Sequence, residues 1–203
     1  MIGIKDFWRF DELIKKRFGK KWFNHVDYCG LIPIRPLENY NYFCTPKNSM
    51  TFATTGGEGV HFGFITEGNS EINDGPIVMT VPMSNKNNII VAESFEEFLS
   101  LGYHVGWFAI EQLSYDEGDT IKYYSKPDSE TTDKERLFLE IIRDELKIKF
   151  EPLSKDRLVE LHDKYFNQLE INELTEFNYN LLNPEQKKMV KNFFEQNENK
   201  NMR

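Results

Sequence analysis

Residues 49–65, "SMTFATTGGEGVHFGFI", predict a β-hairpin at the centre of the fold. In both halves of this stretch, apolar side chains alternate with small or polar ones, which is the pattern of half-buried strands. The alternating apolar side chains are Met50, Phe52, Val60, Phe62 and Phe64. Residues 55–59, the glycine-rich loop, contain three glycines that can adopt positive φ and connect the strands tightly. Gly63 interrupts the second strand and indicates a bulge or a close neighbour.

Two further stretches predict strands of the same sheet. "PIVMTVP" (76–82) and "NIIVA" (88–92) are rich in β-branched residues, and the polar turn 83–87 separates them. Four successive strands with short connections predict a mainly antiparallel meander.

The segment before the hairpin divides into two parts. Apolar residues recur at helical spacing up to Gly19, where the predicted N-terminal helix ends. In residues 20–49, the prolines at 33, 36 and 46 exclude a long helix and predict extended, turn-rich backbone that leads to the sheet.

The segment after the strands is predicted to begin with a helix. Ser94 and Glu97 have the spacing of a capping box, and Gly102 is suited to the helix end. Residues 105–115 predict a second short helix, with a strand as the alternative.

The C-terminal part of the chain is predicted to be helical. A polar stretch, residues 125–133, has the composition of a linker. Further helices are predicted to start after N-cap residues, which are Thr132, Ser154 and Asn183. The sequence therefore predicts an α+β fold with a mainly antiparallel β-sheet flanked by helices. Residues 1–125 are expected to form the α+β domain, and residues 126–203 a C-terminal helical extension packed on it.

The charge of the chain bears on its partners. Among 203 residues, 33 are acidic and 25 basic, for a formal net charge of -8, which argues against nucleic acid because phosphate binding needs a basic surface. Residues 93–119 are acidic and contain no Lys or Arg. Such a stretch favours a basic protein partner, although a solvated helix face is the commoner interpretation. The candidate partner-binding residues are Glu58, Glu111, Asp116, Glu117 and Asp119.

Membrane segments and disulfides are not expected. No apolar run approaches the roughly 20 residues that cross a bilayer, and the N-terminus lacks the apolar core of a signal peptide. Cys29 and Cys44 fit no metal-binding spacing, so we expect reduced thiols in a cytoplasmic protein. A Cys29–Cys44 disulfide is the alternative if the chain is exported.

The sequence contains no recognisable catalytic or cofactor motif. The glycine-rich loop has Glu58 where a phosphate-binding loop needs a cation, and a predicted strand follows it. The four histidines are scattered, so we expect neither a metal nor a cofactor. His61 is best interpreted as a hydrogen-bonded structural residue, and burial of Glu111 in "WFAIEQL" would raise the pKa of its carboxyl. The alternative is a small-molecule-binding protein or hydrolase that uses Glu58 and His61 at the loop.

Three motifs carry a resemblance to a known family. "TGGEGVHFGF" (55–64), "PIVMTVP" (76–82) and "SFEEFL" (94–99) together resemble the SMI1/KNR4, or SUKH, superfamily and a set of uncharacterised bacterial proteins related to it. The resemblance covers roughly residues 31–102. It implies an α+β fold in which a sheet with helices ends in the helix entered by the "SFEEFL" sequence.

The resemblance also implies a function. Many bacterial members of the superfamily are similar to immunity proteins, which neutralise cognate toxins, often nucleases, by direct contact. We therefore expect a non-enzymatic protein-binding module whose partner is a basic protein such as a toxin domain. An acidic surface suits this role because long-range attraction accelerates association with a basic partner.

Overall fold

The computed structural model describes residues 2–66, 75–126, 132–171, 179–180 and 182–200. Within these ranges, five strands form one antiparallel sheet and seven α-helices accompany it, so the predicted α+β fold is confirmed.

The sheet is a simple meander in which strands that follow each other in sequence are also neighbours in space. The strands are β1 (Ile32–Glu38), β2 (Ser49–Thr54), β3 (His61–Ile65), β4 (Ile77–Thr80) and β5 (Asn88–Ala92). All four neighbouring pairs are antiparallel, as the short connections predict. The three strands β2, β3 and β4 lie inside the sheet, while β1 and β5 form its edges.

One strand was not predicted. The proline-containing segment Ile32–Glu38 pairs with β2 as the fifth strand, with a register shift between Pro33 and Glu38. Proline cannot donate a ladder hydrogen bond, so it is tolerated in a sheet on an edge strand, where one side needs no partner. Because β1 is an edge strand, Pro33 and Pro36 are compatible with it.

The predicted hairpin is confirmed, with one irregularity. Thr51 pairs with Gly63 and Ala53 pairs with Phe62, so Phe52 is the extra residue of a bulge in β2. The neighbour that requires glycine at position 63 is Ser49, whose Oγ would lie 2.2 Å from an added Cβ.

The helices begin largely where the capping residues predict. They are α1 (Ile4–Phe18), α2 (Trp22–Tyr28), α3 (Phe95–Leu101), α4 (Glu117–Tyr124), α5 (Asp133–Leu146), α6 (Lys155–Tyr165) and α7 (Pro184–Lys200). The predicted caps accept hydrogen bonds from backbone N–H groups in the first turns of α3, α5, α6 and α7; they are Ser94, Thr132, Ser154 and Asn183. Glu97 does not complete a box with Ser94, because its carboxylate accepts the N–H of Glu93 instead.

Two helices, α2 and α4, were not predicted. The extended backbone predicted from residue 20 onwards is wrong for α2, which lies before the first proline and packs against α1 and α5. Helix α4 was missed because Gly118 and the acidic residues around it suggest a loop; Asp116 caps the helix by accepting the N–H of Asp119. The short helix predicted within 105–115 is present as a 3-10 helix, Phe108–Ser114, and the alternative strand is not formed there. Most of the predicted linker, residues 127–131, lies outside the described residues.

Both faces of the sheet are covered. One face forms the main core with α1, α3 and α5, in which aromatic rings dominate; examples are Phe7, Phe52, Phe95, Phe98 and Phe138. The other face carries a smaller second core, Ile65, Val78, Ile90 and Leu161, which α6 covers. Phe10 and Phe138 pack with their ring centroids 5.6 Å apart, so the main core includes residues on both sides of the predicted 125/126 boundary. The division into two domains stays a prediction.

Candidate functional site

The glycine-rich loop is a closed, hydrogen-bonded turn. The Thr55 N–H donates to the Val60 carbonyl at 3.2 Å, and the Val60 N–H donates to the Gly57 carbonyl at 3.0 Å. Gly56 and Gly59 have φ of 84° and 75°, so the conformational freedom predicted for the loop glycines is used at these two positions. The third left-handed residue is Glu58 itself, with φ of 49°. The backbone thus presents the Glu58 side chain at the tip of the loop, where it is exposed.

Gly59 also lies against the side chain of Tyr42. An added Cβ at this position would lie 2.6 Å from the Tyr42 hydroxyl oxygen, so the ring of Tyr42 packs directly on the loop backbone. The same ring stacks on His61, with centroids 5.6 Å apart. The loop is therefore held from one side by an aromatic side chain and has its acidic side chain on the outside.

His61 has no ring nitrogen available to a substrate. Its side chain is fully buried, its Nδ1 lies 2.7 Å from the Gly59 carbonyl, and its Nε2 lies 3.1 Å from the Thr45 hydroxyl. Since a carbonyl can only accept, Nδ1 carries the proton and donates to Gly59, and Nε2 accepts from Thr45. Burial lowers the pKa of His61 to about 4, so the ring is neutral at physiological pH.

The charge of Glu58 acts on Glu111 although the two residues are far apart in the sequence. Glu111 lies on the 3-10 helix, and the pKa of its carboxyl is raised first by burial and then by the charge of Glu58. Burial followed by the charges of Glu58 and Glu111 raises the pKa of Tyr115 as well. The apolar surroundings predicted for Glu111 therefore have the expected effect, while the neighbouring Glu58 charge was not predicted.

Two exposed aromatic side chains accompany these carboxylates. Phe108 and Tyr115, at the start and just after the end of the 3-10 helix, are 51% and 53% exposed. In a 3-10 helix, residues three apart lie above one another, so Phe108 and Glu111 share one ridge of the surface. We call Glu58, Phe108, Glu111 and Tyr115 the acidic–aromatic patch.

The other three predicted binding residues have partners within the chain. Asp116 caps α4, and its carboxylate accepts the N–H of Asp119 at 3.0 Å. Glu117 forms an ion pair with Lys86 at 2.9 Å, and Asp119 forms one with Lys122 at 2.7 Å. Their side chains therefore already have donors or cations within the chain. Glu111 accepts a side-chain hydrogen bond from Gln112, which brings no positive charge.

The first part of the acidic stretch is also neutralised internally. Glu93 and Glu97 accept hydrogen bonds from Arg157 of α6, and Glu93 also accepts from Lys164 and Tyr165. These carboxylates attach α6 to the start of α3. In the part of the chain that the structure describes, no ion pair is formed by Glu58 or Glu111.

Cys29 and Cys44 are both free and buried, and burial raises the pKa of the Cys44 thiol to about 12. Among the described residues, no three His, Cys, Asp or Glu side chains are grouped closely enough to hold a metal ion. None of the described helices is sufficiently long and apolar to cross a bilayer.

Comparison of the chain with protein-family models, with curated proteins and with solved structures finds no match. The SMI1/KNR4 resemblance therefore remains an expectation from the sequence motifs alone.

Proposed function

We propose that this protein is a non-enzymatic protein-binding module whose acidic–aromatic patch binds a basic partner protein. The observation that carries the proposal is that the charge of the exposed Glu58 acts on the partly buried Glu111, while neither carboxylate forms an ion pair among the described residues. Placing two like charges close together is unfavourable, and a half-buried carboxylate adds a desolvation cost. A lysine or arginine from a partner would offset both costs by supplying a counter-charge.

The aromatic part of the patch supports the same role. Interfaces between proteins are enriched in large aromatic side chains that are surrounded by polar groups, and such residues often dominate the binding energy. Phe108 and Tyr115 are rings of this kind, held by a helix whose Ile110 and Leu113 are buried in the main core. A rigid helix that presents exposed rings loses little side-chain entropy on binding.

An immunity protein that blocks a bacterial toxin is the most concrete version of this proposal. Its support is the resemblance of the three sequence motifs to the SMI1/KNR4 superfamily, together with the acidic character of the patch. A basic nuclease domain has the complementary charge, and the attraction would accelerate encounter of the two proteins.

The alternative use of the glycine-rich loop as a ligand site has less support. It needs Glu58 and His61 to act together, whereas Glu58 is exposed and both nitrogens of the buried His61 are occupied. A histidine that is neutral and fully hydrogen-bonded offers a substrate neither a base nor a donor.

The proposal is tested by measuring the affinity of this protein for a basic toxin domain that a neighbouring gene encodes. Calorimetric titration of that domain should give saturable binding that weakens as salt is added, because long-range charge attraction is screened. The double substitution Glu58→Lys and Glu111→Lys should weaken binding by about tenfold or more, because like charges then face the partner.

The control is Asp119→Lys, which also reverses an acidic residue but lies at an existing ion pair with Lys122. It should leave the affinity nearly unchanged. The proposal is wrong if the double variant binds as tightly as the wild type, or if Asp119→Lys weakens binding to the same extent.

A further inference from the structure

A cavity of about 230 Å³ lies beside the edge strand β5, on the side of the molecule where α6 and α4 approach each other. Its walls are mostly apolar and come from β5, the 3-10 helix and α6; they are Ile89, Ile90, Leu113, Leu158 and Val159. Four polar residues also line the cavity: Lys86, Asn88, Glu117 and His162. This combination of mostly apolar walls and a few polar groups is typical of small-molecule sites.

The size of the cavity limits what it can hold. At about 30 Å³ for each water-sized group, the space takes roughly eight such groups. This is below the range of roughly 300–1,000 Å³ that drug-sized ligands occupy. Val159 on the α6 wall is 49% exposed, although valine is usually buried, so the cavity is open to entry at this point.

The charged residues that line the cavity, Lys86 and Glu117, indicate the head group of its ligand. Lys86 forms its ion pair with Glu117 at 2.9 Å, and the pKa of Glu117 is lowered first by the hydrogen bond from Lys86 and then by the charges of Lys86 and Lys155. The single carboxylate thus has two ammonium groups nearby. The ammonium group of Lys86 has three N–H donors and donates to Glu117, so it can also bind a second carboxylate.

We propose that this cavity binds a small carboxylic acid with a branched or short apolar chain. The chain lies against Leu113, Leu158 and Val159, and the carboxylate shares the Lys86 ammonium group with Glu117. This site is separate from the acidic–aromatic patch and does not depend on the proposed function.

Methyl-resolved NMR with 4-methylpentanoic acid as the probe tests the proposal. The acid should shift the methyl signals of Leu113, Leu158 and Val159 saturably at millimolar concentration. Acetate lacks the chain, and 4-methylpentan-1-amine has the opposite charge, so neither should produce these shifts. Lys86→Gln should weaken the affinity for the acid by about tenfold, as expected for a lost charged hydrogen bond.

Two variants complete the experiment. Val159→Trp fills the mouth from an exposed position, so the fold should be retained and binding of the acid lost. Lys122→Gln removes an ion pair from the exposed face of α4 without lining the cavity and should bind the acid as the wild type does. The proposal is overturned if no saturable shift occurs, if the amine binds as well as the acid, or if Val159→Trp still binds.

Discussion

His61 shows how completely its surroundings can determine the state of one side chain. The unfolded chain binds a proton at a histidine from about pH 6.5 downward. In the folded protein, burial lowers the pKa of His61 to about 4, although the hydrogen bond to the Gly59 carbonyl raises it. Between these two pH values the unfolded state binds more protons, so the free energy of unfolding decreases as the pH falls.

The substitution His61→Gln should remove this contribution. We expect the stability difference between the wild type and the variant to shrink by roughly 2 to 3 kcal/mol between neutral pH and about pH 4.5. Urea unfolding of both proteins at a series of pH values measures the difference. His25, whose pKa is lowered by burial and by Lys134, titrates in both proteins and cancels. A stability difference that stays constant with pH would contradict the prediction.

Gly102 shows that a correct prediction can have a different reason. The helix α3 does end there, as the sequence predicts, yet φ at Gly102 is -80° and any residue could adopt it. Glycine is required because an added Cβ would lie 2.2 Å from Cε2 of the buried Trp107 ring. The position is therefore determined by packing of the following segment, which the local sequence pattern cannot show.

At the scale of elements, α6 is attached to the sheet by charge as much as by apolar contact. Arg157 Nε donates to Glu97 at 2.7 Å, and its terminal nitrogen donates to Glu93 at 2.9 Å. Only Leu158 and Leu161 are buried on this helix. Hydrogen bonds from Lys164, Tyr165 and Arg157 also lower the pKa of Glu93 to about 2, so the attachment persists well into acid.

Substitution of Arg157 by Met should therefore destabilise the protein. We expect a loss of about 2 kcal/mol in the free energy of unfolding, because two half-buried carboxylates lose charged donors. Lys122→Met is the control, since it removes an ion pair whose partners are 72% and 73% exposed and should cost about 0.5 kcal/mol or less. Equal effects of the two substitutions in thermal or urea unfolding would show that the α6 attachment is energetically unimportant.

At the scale of the whole molecule, the main core connects the N-terminal and C-terminal parts. Phe138 of α5 is fully buried and packs on Phe10 of α1. Removal of a buried phenylalanine side chain costs about 3 to 5 kcal/mol. Because this core is shared, we expect Phe138→Ala to destabilise the whole chain rather than a C-terminal unit alone.

Two probes of unfolding distinguish these outcomes. All three tryptophans, Trp8, Trp22 and Trp107, precede residue 126, so their fluorescence reports on the N-terminal part. Far-UV circular dichroism reports on the helices of both parts. The two transitions should coincide in the wild type and shift together in Phe138→Ala. If the tryptophan transition stays in place, the C-terminal extension unfolds independently.

The sequence by itself determined the elements whose signals are local. The alternation around the glycine-rich loop predicts β2 and β3, and Ser94, Thr132 and Ser154 mark helix starts because an N-cap acts within its own first turn. The tertiary structure decided what depends on distant neighbours. It made the segment of Pro33 an edge strand.

Which carboxylates of the acidic stretch are paired within the chain depends on tertiary contacts. The stretch 93–119 shows acidic residues without showing that most of them have donors or cations elsewhere in the chain. Only the folded chain places Arg157 on Glu97, Lys86 on Glu117 and Glu58 beside Glu111. A helix or a turn forms from contacts between near neighbours, whereas the pairing of charges depends on how those elements pack.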